Sequence, residues 1–152
     1  MSVTVSLKTV SLDRYKANLG KINIVVGAMA AQVEGNAKTS ILKSSGKYKE
    51  RVSGQNKNIT TWSSPPGTPP NTDIGNLANS IGYRMIGKTT AEITAGEQGG
   101  RATADAKYAV ALELGWTSKG GNTVPARPFM EPALMKVKPA FIKAMKSVLK
   151  GK

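Results

Sequence analysis

Residues 82–96 read GYRMIGKTTAEITAG, and two incompatible folds claim them. The first eight satisfy G-x-x-x-x-G-K-[ST], the spacing with which backbone N–H groups between two glycines cradle phosphates and a lysine reaches over them. That chemistry needs a strand before Gly82 and a helix after Lys88. Instead Ile81, Tyr83 and Met85 alternate before Gly87-Lys88, and Ala91, Ile93 and Ala95 alternate after it. The residues following Lys88 are rich in β-branched side chains, which suit a pleated surface better than a helix. No apolar run ending in Asp offers a second magnesium ligand. The stretch is expected to be a β-hairpin turning at Gly87-Lys88, which displaces the phosphate-loop hydrolase reading.

On the N-terminal side, Val3, Val5 and Leu7 alternate as in a short first strand. Ser11 or Asp13 can then cap a long amphipathic helix in which Tyr15, Leu19, Ile22, Val26, Met29, Val33 and Ala37 recur every three or four residues to about Lys43. Gly27, Ala31 and Gly35 run along its other side, either as a close-approach stripe or as plain solvent-facing positions. Residues 44–58, SSGKYKERVSGQNKN, are polar and basic and are expected to form a mobile loop. Thr72 or Asp73 can cap a short helix through Leu77 and Ala78. Past the hairpin, a loose loop should lead to a helix over Ala106–Gly115, with Tyr108, Leu112 and Gly115 on one face.

From Pro132 to Lys150 the chain is expected to be helical, with Pro139 kinking it or starting its second half. Leu134, Val137, Phe141, Met145 and Val148 fall on one stripe. Met135, Ile142 and Leu149, spaced by seven, widen the apolar arc beyond the roughly 100° that a core-facing helix needs. A neighbour covering the excess would explain it.

The 152 residues suit one domain, spanning 1–152. Apolar residues make up 39% of the chain, with only two Trp, four Tyr and two Phe, so the core must rest on aliphatic side chains. The chain has neither Cys nor His, which removes disulfides, thiolate zinc sites, cysteine nucleophiles and the commonest general base. No small-molecule cofactor or metal is implied. The longest apolar run, Ile24–Ala31, is far shorter than the roughly 20 residues that span a bilayer, and no signal peptide opens the sequence. A soluble protein made in the cytoplasm, with no membrane partner, is expected. Twenty-two Lys and Arg against nine Asp and Glu give a net charge of +13, which favours something anionic, whether nucleic acid, a membrane surface or an acidic protein ring, and charge alone does not choose among these.

Patterns that suggest catalysis dissolve one by one. Ser40 with Lys43 and Ser44 with Lys47 match S-x-x-K, but the companion SDN and KTG elements are absent. Glu113, between Leu112 and Leu114, is expected to pair with a basic residue such as Arg127 rather than act as an acid. For nucleic acid, Trp62 and Trp116 are candidate stacking surfaces, yet no helix-turn-helix, zinc knuckle or aromatic RNA-binding signature is present. Nonspecific, salt-sensitive phosphate contact therefore stands as an alternative function.

The prolines fall into two groups. Pro65, Pro66, Pro69 and Pro70 stiffen an arm around residues 62–75, and Pro125, Pro128 and Pro132 lie within PARPFMEPAL, with Pro139 shortly after it. Proline fixes φ in advance and so lowers the entropy lost when an extended segment docks. The arm can reach a neighbouring subunit or tuck onto its own domain. Phe129 and Met130 are apolar anchors, with the core as their default destination.

Taken in order, PPGTPPNTDIGNLANSI, YAVALELGWT and PARPFMEPAL resemble the small head–tail joining proteins of tailed bacteriophages, a family of neck, tail-completion and tail-component proteins. The match spans roughly residues 60–135. It departs from the family pattern by inserting Trp116 between Gly115 and Thr117. The resemblance implies an α+β subunit, with a long N-terminal helix and a C-terminal helix packed on a small antiparallel sheet. It further implies a non-enzymatic virion protein that forms a homo-oligomeric ring of six or twelve copies at the head–tail junction. Such a ring surrounds the DNA passage and meets portal-side head-completion proteins on one side and tail-tube or tail-terminator proteins on the other. The residues expected at its interfaces are Trp62, the four arm prolines, Glu113, Trp116, Arg127, Phe129, Met130, Met135, Ile142 and Leu149.

Overall fold

The computed structural model describes residues 12–46, 48–51, 60–72, 74–96, 106–117, 119–121 and 123–150. The expected first strand at Val3–Leu7 and the loop between Gly96 and Ala106 lie outside them. Helix α1 (Leu12–Lys43) is the longest element, about 48 Å at 1.5 Å per residue. Its register is set by Ala30, Val33, Ala37 and Ile41, all buried, whose three- and four-residue spacing keeps them on one side. Glu34 reinforces the same half by accepting from Lys38 at 2.6 Å, an i,i+4 pair. After Lys43 the chain leaves the helix through a tightened turn, with the Ser44 N–H bonding the Ile41 carbonyl at 3.1 Å.

Helix α4 (Met130–Leu149) is the principal partner of α1. It buries Ala133 and Val137, one turn apart. Pro139 lies inside it without ending it. Residue 139 is exposed, so the carbonyl four residues earlier, deprived of its N–H partner, lies on the solvent side where water can satisfy it.

The fold is α+β and dominated by helix, with the long first and last helices that the sequence leads one to expect. Among the described residues the strands form three separate antiparallel ladders rather than one sheet: β1 (Tyr48–Arg51) with β2 (Thr60–Ser63), β3 (Gly82–Met85) with β4 (Ala91–Thr94), and β5 (Trp116–Thr117) with β6 (Thr123–Val124). The first ladder corrects the expectation of a loop throughout 44–58, because Tyr48–Arg51 pair in register with Thr60–Ser63. The β3–β4 hairpin matches its alternation. Tyr83 faces Ile93, Met85 faces Ala91, and an Ile86 N–H to Thr90 O bond of 3.1 Å closes the turn that contains Gly87 and Lys88.

Two short helices connect these parts. Helix α2 (Asn76–Asn79) begins at Gly75 in the left-handed region, with no side-chain cap, so the expected Thr72 or Asp73 cap is not what starts it. Helix α3 (Ala109–Leu114) ends at Gly115, φ 76°. A side chain there would come within 3.0 Å of the Val124 carbonyl and the Ala126 nitrogen. The inward face of α3 is Ala109, with Ala106 just before it and Leu112 packed alongside. Tyr108, expected on that face, is exposed.

The core gathers Val33, Ala37 and Ile41 from α1 with Leu77, Ile81, Phe129 and Val137. Its largest fully buried side chains are Phe129, Ile41 and Ile81, and alanines fill much of the remainder, which lets helices approach closely but supplies little apolar area. Ser80 joins two distant segments inside it. Its hydroxyl donates to the Leu77 carbonyl at 2.8 Å and accepts the Gly96 N–H at 3.1 Å.

Candidate assembly surfaces

The proline segment is built around polar contacts to its own domain. The Arg127 guanidinium, 3% exposed, donates from Nε to the Ser64 carbonyl at 2.9 Å, from one terminal nitrogen to the Pro125 carbonyl at 3.3 Å, and from the other to Ser63 Oγ at 3.0 Å. Beyond it, the Gly67 N–H bonds the Ala126 carbonyl at 2.8 Å. On the other side, Ser44 Oγ sits 2.8 Å from both the Pro69 carbonyl and Asn71 Oδ1, while Asn71 Nδ2 donates to the Gly46 carbonyl at 2.6 Å. A side chain at Gly46 would collide with the Pro65 ring. Pro70 is buried, Pro65 and Pro69 are half-buried, and Pro66 is exposed. Within the single chain the arm therefore tucks onto its own domain. Among its described residues, Pro66, Gly67 and Ile74 are the exposed positions.

Glu113 corrects a second expectation. Its carboxylate does not take Arg127 as its partner. Oε2 accepts the N–H groups of Phe129 and Met130 at 2.8 and 3.0 Å, and Oε1 accepts that of Glu131 at 2.9 Å. These are the otherwise unpaired donors at the start of α4, where the helix dipole also favours negative charge. Phe129, the residue at the cap position, makes no side-chain cap bond of its own. The two segments are also joined directly, by an Arg127 N–H to Leu112 O bond of 2.6 Å.

Parts of the three stretches carrying the resemblance thus meet in space, with the third bonded to each of the others: Gly67 bonds Ala126, Leu112 bonds Arg127, and Glu113 bonds Phe129, Met130 and Glu131. Phe129, 1% exposed, enters the core, and Met130 is partly buried against it. Around this junction apolar surface remains open. Val110 and Leu114, one turn apart on α3, are exposed, Leu114 at 74%, as is Trp116 at 53%. A hollow of about 270 Å³ lies between Val110, Leu114, Phe129, Met130, Ile93 and Ala95, with Glu113 at its edge. The sequence reading named Glu113, Trp116 and Met130 here but missed Val110 and Leu114, whose four-residue spacing was the available signal.

Further along α4, Met135, Ile142 and Leu149 are 53%, 41% and 65% exposed, so the excess apolar arc seen in the sequence does lie uncovered. The backbone of Trp62 sits in β2 opposite Lys49. Gly27 and Gly35 do not make a close-approach stripe within the chain: a side chain at Gly27 would only reach Met85 Sδ at 3.8 Å, and nothing lies within 4 Å at Gly35.

Lys88 is exposed in the hairpin turn, where its carbonyl accepts from Asn23 Nδ2 of α1 at 3.0 Å. The strand–loop–helix that a phosphate cradle needs is replaced by a strand–turn–strand. Ser40 Oγ bonds the Ala37 carbonyl at 2.7 Å and Ser44 Oγ faces the proline segment, so both S-x-x-K serines are engaged in structural contacts. No helix among the described residues is long and apolar enough to cross a membrane. No protein-family model, curated protein or solved structure matches the chain.

Proposed function

We propose that the protein is a structural subunit of a tailed bacteriophage virion, assembling into a ring at the head–tail junction that joins portal-side proteins to the tail around the DNA passage. One observation carries the reading. The three sequence segments that resemble head–tail joining proteins, distant in the chain, converge on one bonded junction, and that junction is bordered by uncovered Val110, Leu114 and Trp116. Ring contacts are heterologous, so a protruding face on one subunit must meet a recessed face on the next. The hollow beside Met130 and the exposed Pro66-Gly67 tip are candidates for the two roles.

The net charge of +13 supports a second reading, nonspecific contact with DNA. In a ring the two readings combine at the passage; in a monomer only the second survives.

Sedimentation velocity at low and moderate salt separates them. The ring reading expects a discrete species several times the 16.0 kDa chain mass that withstands moderate salt and is lost in Leu114→Glu. A monomer at both salts, binding duplex DNA with a steep salt dependence, would favour the second reading.

A further inference from the structure

We infer that the outer face of α4 is a docking surface for an acidic amphipathic helix of a different protein, separate from any contact between copies of this chain. Met135, Ile142 and Leu149 recur every seven residues and, at 100° per residue, lie on the side of the helix opposite the buried Ala133 and Val137. The stripe is about 21 Å long, and its repeat is the one that keeps two packed helices in register over several turns. Helix propensity alone favours Leu and Met, but three apolar side chains in one row opposite the core are more than folding requires.

Charge identifies the occupant. Helix α4 carries Lys136, Lys138, Lys143 and Lys146 against a single acid, Glu131, and Lys150 follows directly. All five lysines are exposed. By helical angle Lys138 borders the stripe on one side, Lys146, Lys143 and Lys150 on the other. A complementary helix needs apolar residues at the same repeat, flanked by carboxylates.

This chain does not offer one. Glu34 is paired with Lys38, Glu92 with Arg84, and Glu113 caps α4. Nowhere in the sequence do two acids fall within one helical turn. Two copies meeting through this face would set lysines against lysines, which disfavours a symmetric α4–α4 contact. The inference takes from the ring reading only that the protein works in an assembly, and its partner contact is distinct from the Leu114 surface.

The test uses the full chain and two synthetic three-heptad helical peptides with leucine seams, one flanked by Glu and the other by Lys, together with phosphatidylglycerol vesicles and duplex DNA, followed by fluorescence anisotropy or co-sedimentation. The Glu-flanked peptide should bind and the Lys-flanked one should not. Ile142→Glu and, independently, Lys146→Glu should each weaken binding by about tenfold or more, with melting curves and self-association unchanged. Equal binding of the two peptides, or Glu-peptide binding indifferent to Ile142→Glu, overturns the inference. So does tighter binding of vesicles or DNA through Ile142, which assigns the stripe to that surface. Loss of self-association in Ile142→Glu also overturns it, by giving the face to a second copy. Failure of the ring is read separately, from Leu114→Glu, and leaves these outcomes intact.

Discussion

Replacing Glu113 by Gln tests the junction at its most concentrated point. One carboxylate accepts three backbone N–H groups at 2.8, 3.0 and 2.9 Å, all at the start of the 20-residue helix α4. The amide keeps one acceptor oxygen, so the donor or donors facing its NH₂ group lose their partner, and the negative charge at the helix N-terminus disappears. A hydrogen bond to a charged group contributes about 1.5–3 kcal/mol, and a charge at a helix N-terminus about 0.3–1 kcal/mol. Because Glu113 is only partly buried and water can reach its edge, the lower end applies, and the expected loss is about 2 kcal/mol. For a domain of this size that lowers Tm by roughly 6 °C. Glu131→Gln is the control, since Glu131 is exposed in the first turn of the same helix, and it should cost only a few tenths of a kcal/mol. The assay is thermal unfolding followed by circular dichroism at one fixed protein concentration. A shift below about 2 °C for Glu113→Gln, or one no larger than that of Glu131→Gln, would refute the claim that Glu113 holds the start of α4.

Three further outcomes follow from the packing. Phe129→Ala should cost about 3–5 kcal/mol and Met130→Ala clearly less, because Phe129 is fully buried and Met130 only partly so; equal losses in denaturant unfolding would contradict the placement. Arg127→Lys, which removes the fork that reaches Ser64, Pro125 and Ser63, should destabilise by about 2 kcal/mol, and limited proteolysis should then cut faster near Pro66. Gly96→Ala should destabilise by well over about 1 kcal/mol, since φ is 99° and the new methyl would sit 2.8 Å from the Ala106 carbonyl; Gly87→Ala, with nothing within 4 Å, should be nearly neutral.

The sequence exposed those elements whose signal is periodic and local. Val33 and Ala37 mark α1, Val137 marks α4, and the alternation of Tyr83, Met85, Ala91 and Ile93 marks the hairpin, because each pattern repeats within its own element. It also exposed the surplus of Met135, Ile142 and Leu149, since a helix has room for only one core-facing stripe. What it concealed depends on partners far along the chain. The prolines announce a stiff segment, but where it lies is decided by Ser44, Gly46 and Arg127, whose bonds to it span 25 to 64 residues of sequence. Glu113 signals a partner without showing that three main-chain N–H groups serve better than a guanidinium. Tyr48–Arg51 has neither alternation nor β-branched residues, so its strand is induced by the register with Thr60–Ser63 rather than by its own composition.

Electron microscopy of the purified protein at moderate salt decides whether the chain closes into the proposed ring. Class averages with rotational symmetry around an open centre wide enough for duplex DNA are expected, and they should be lost in Leu114→Glu. Particles that are only monomers, or only two-fold dimers without a central opening, would contradict the ring.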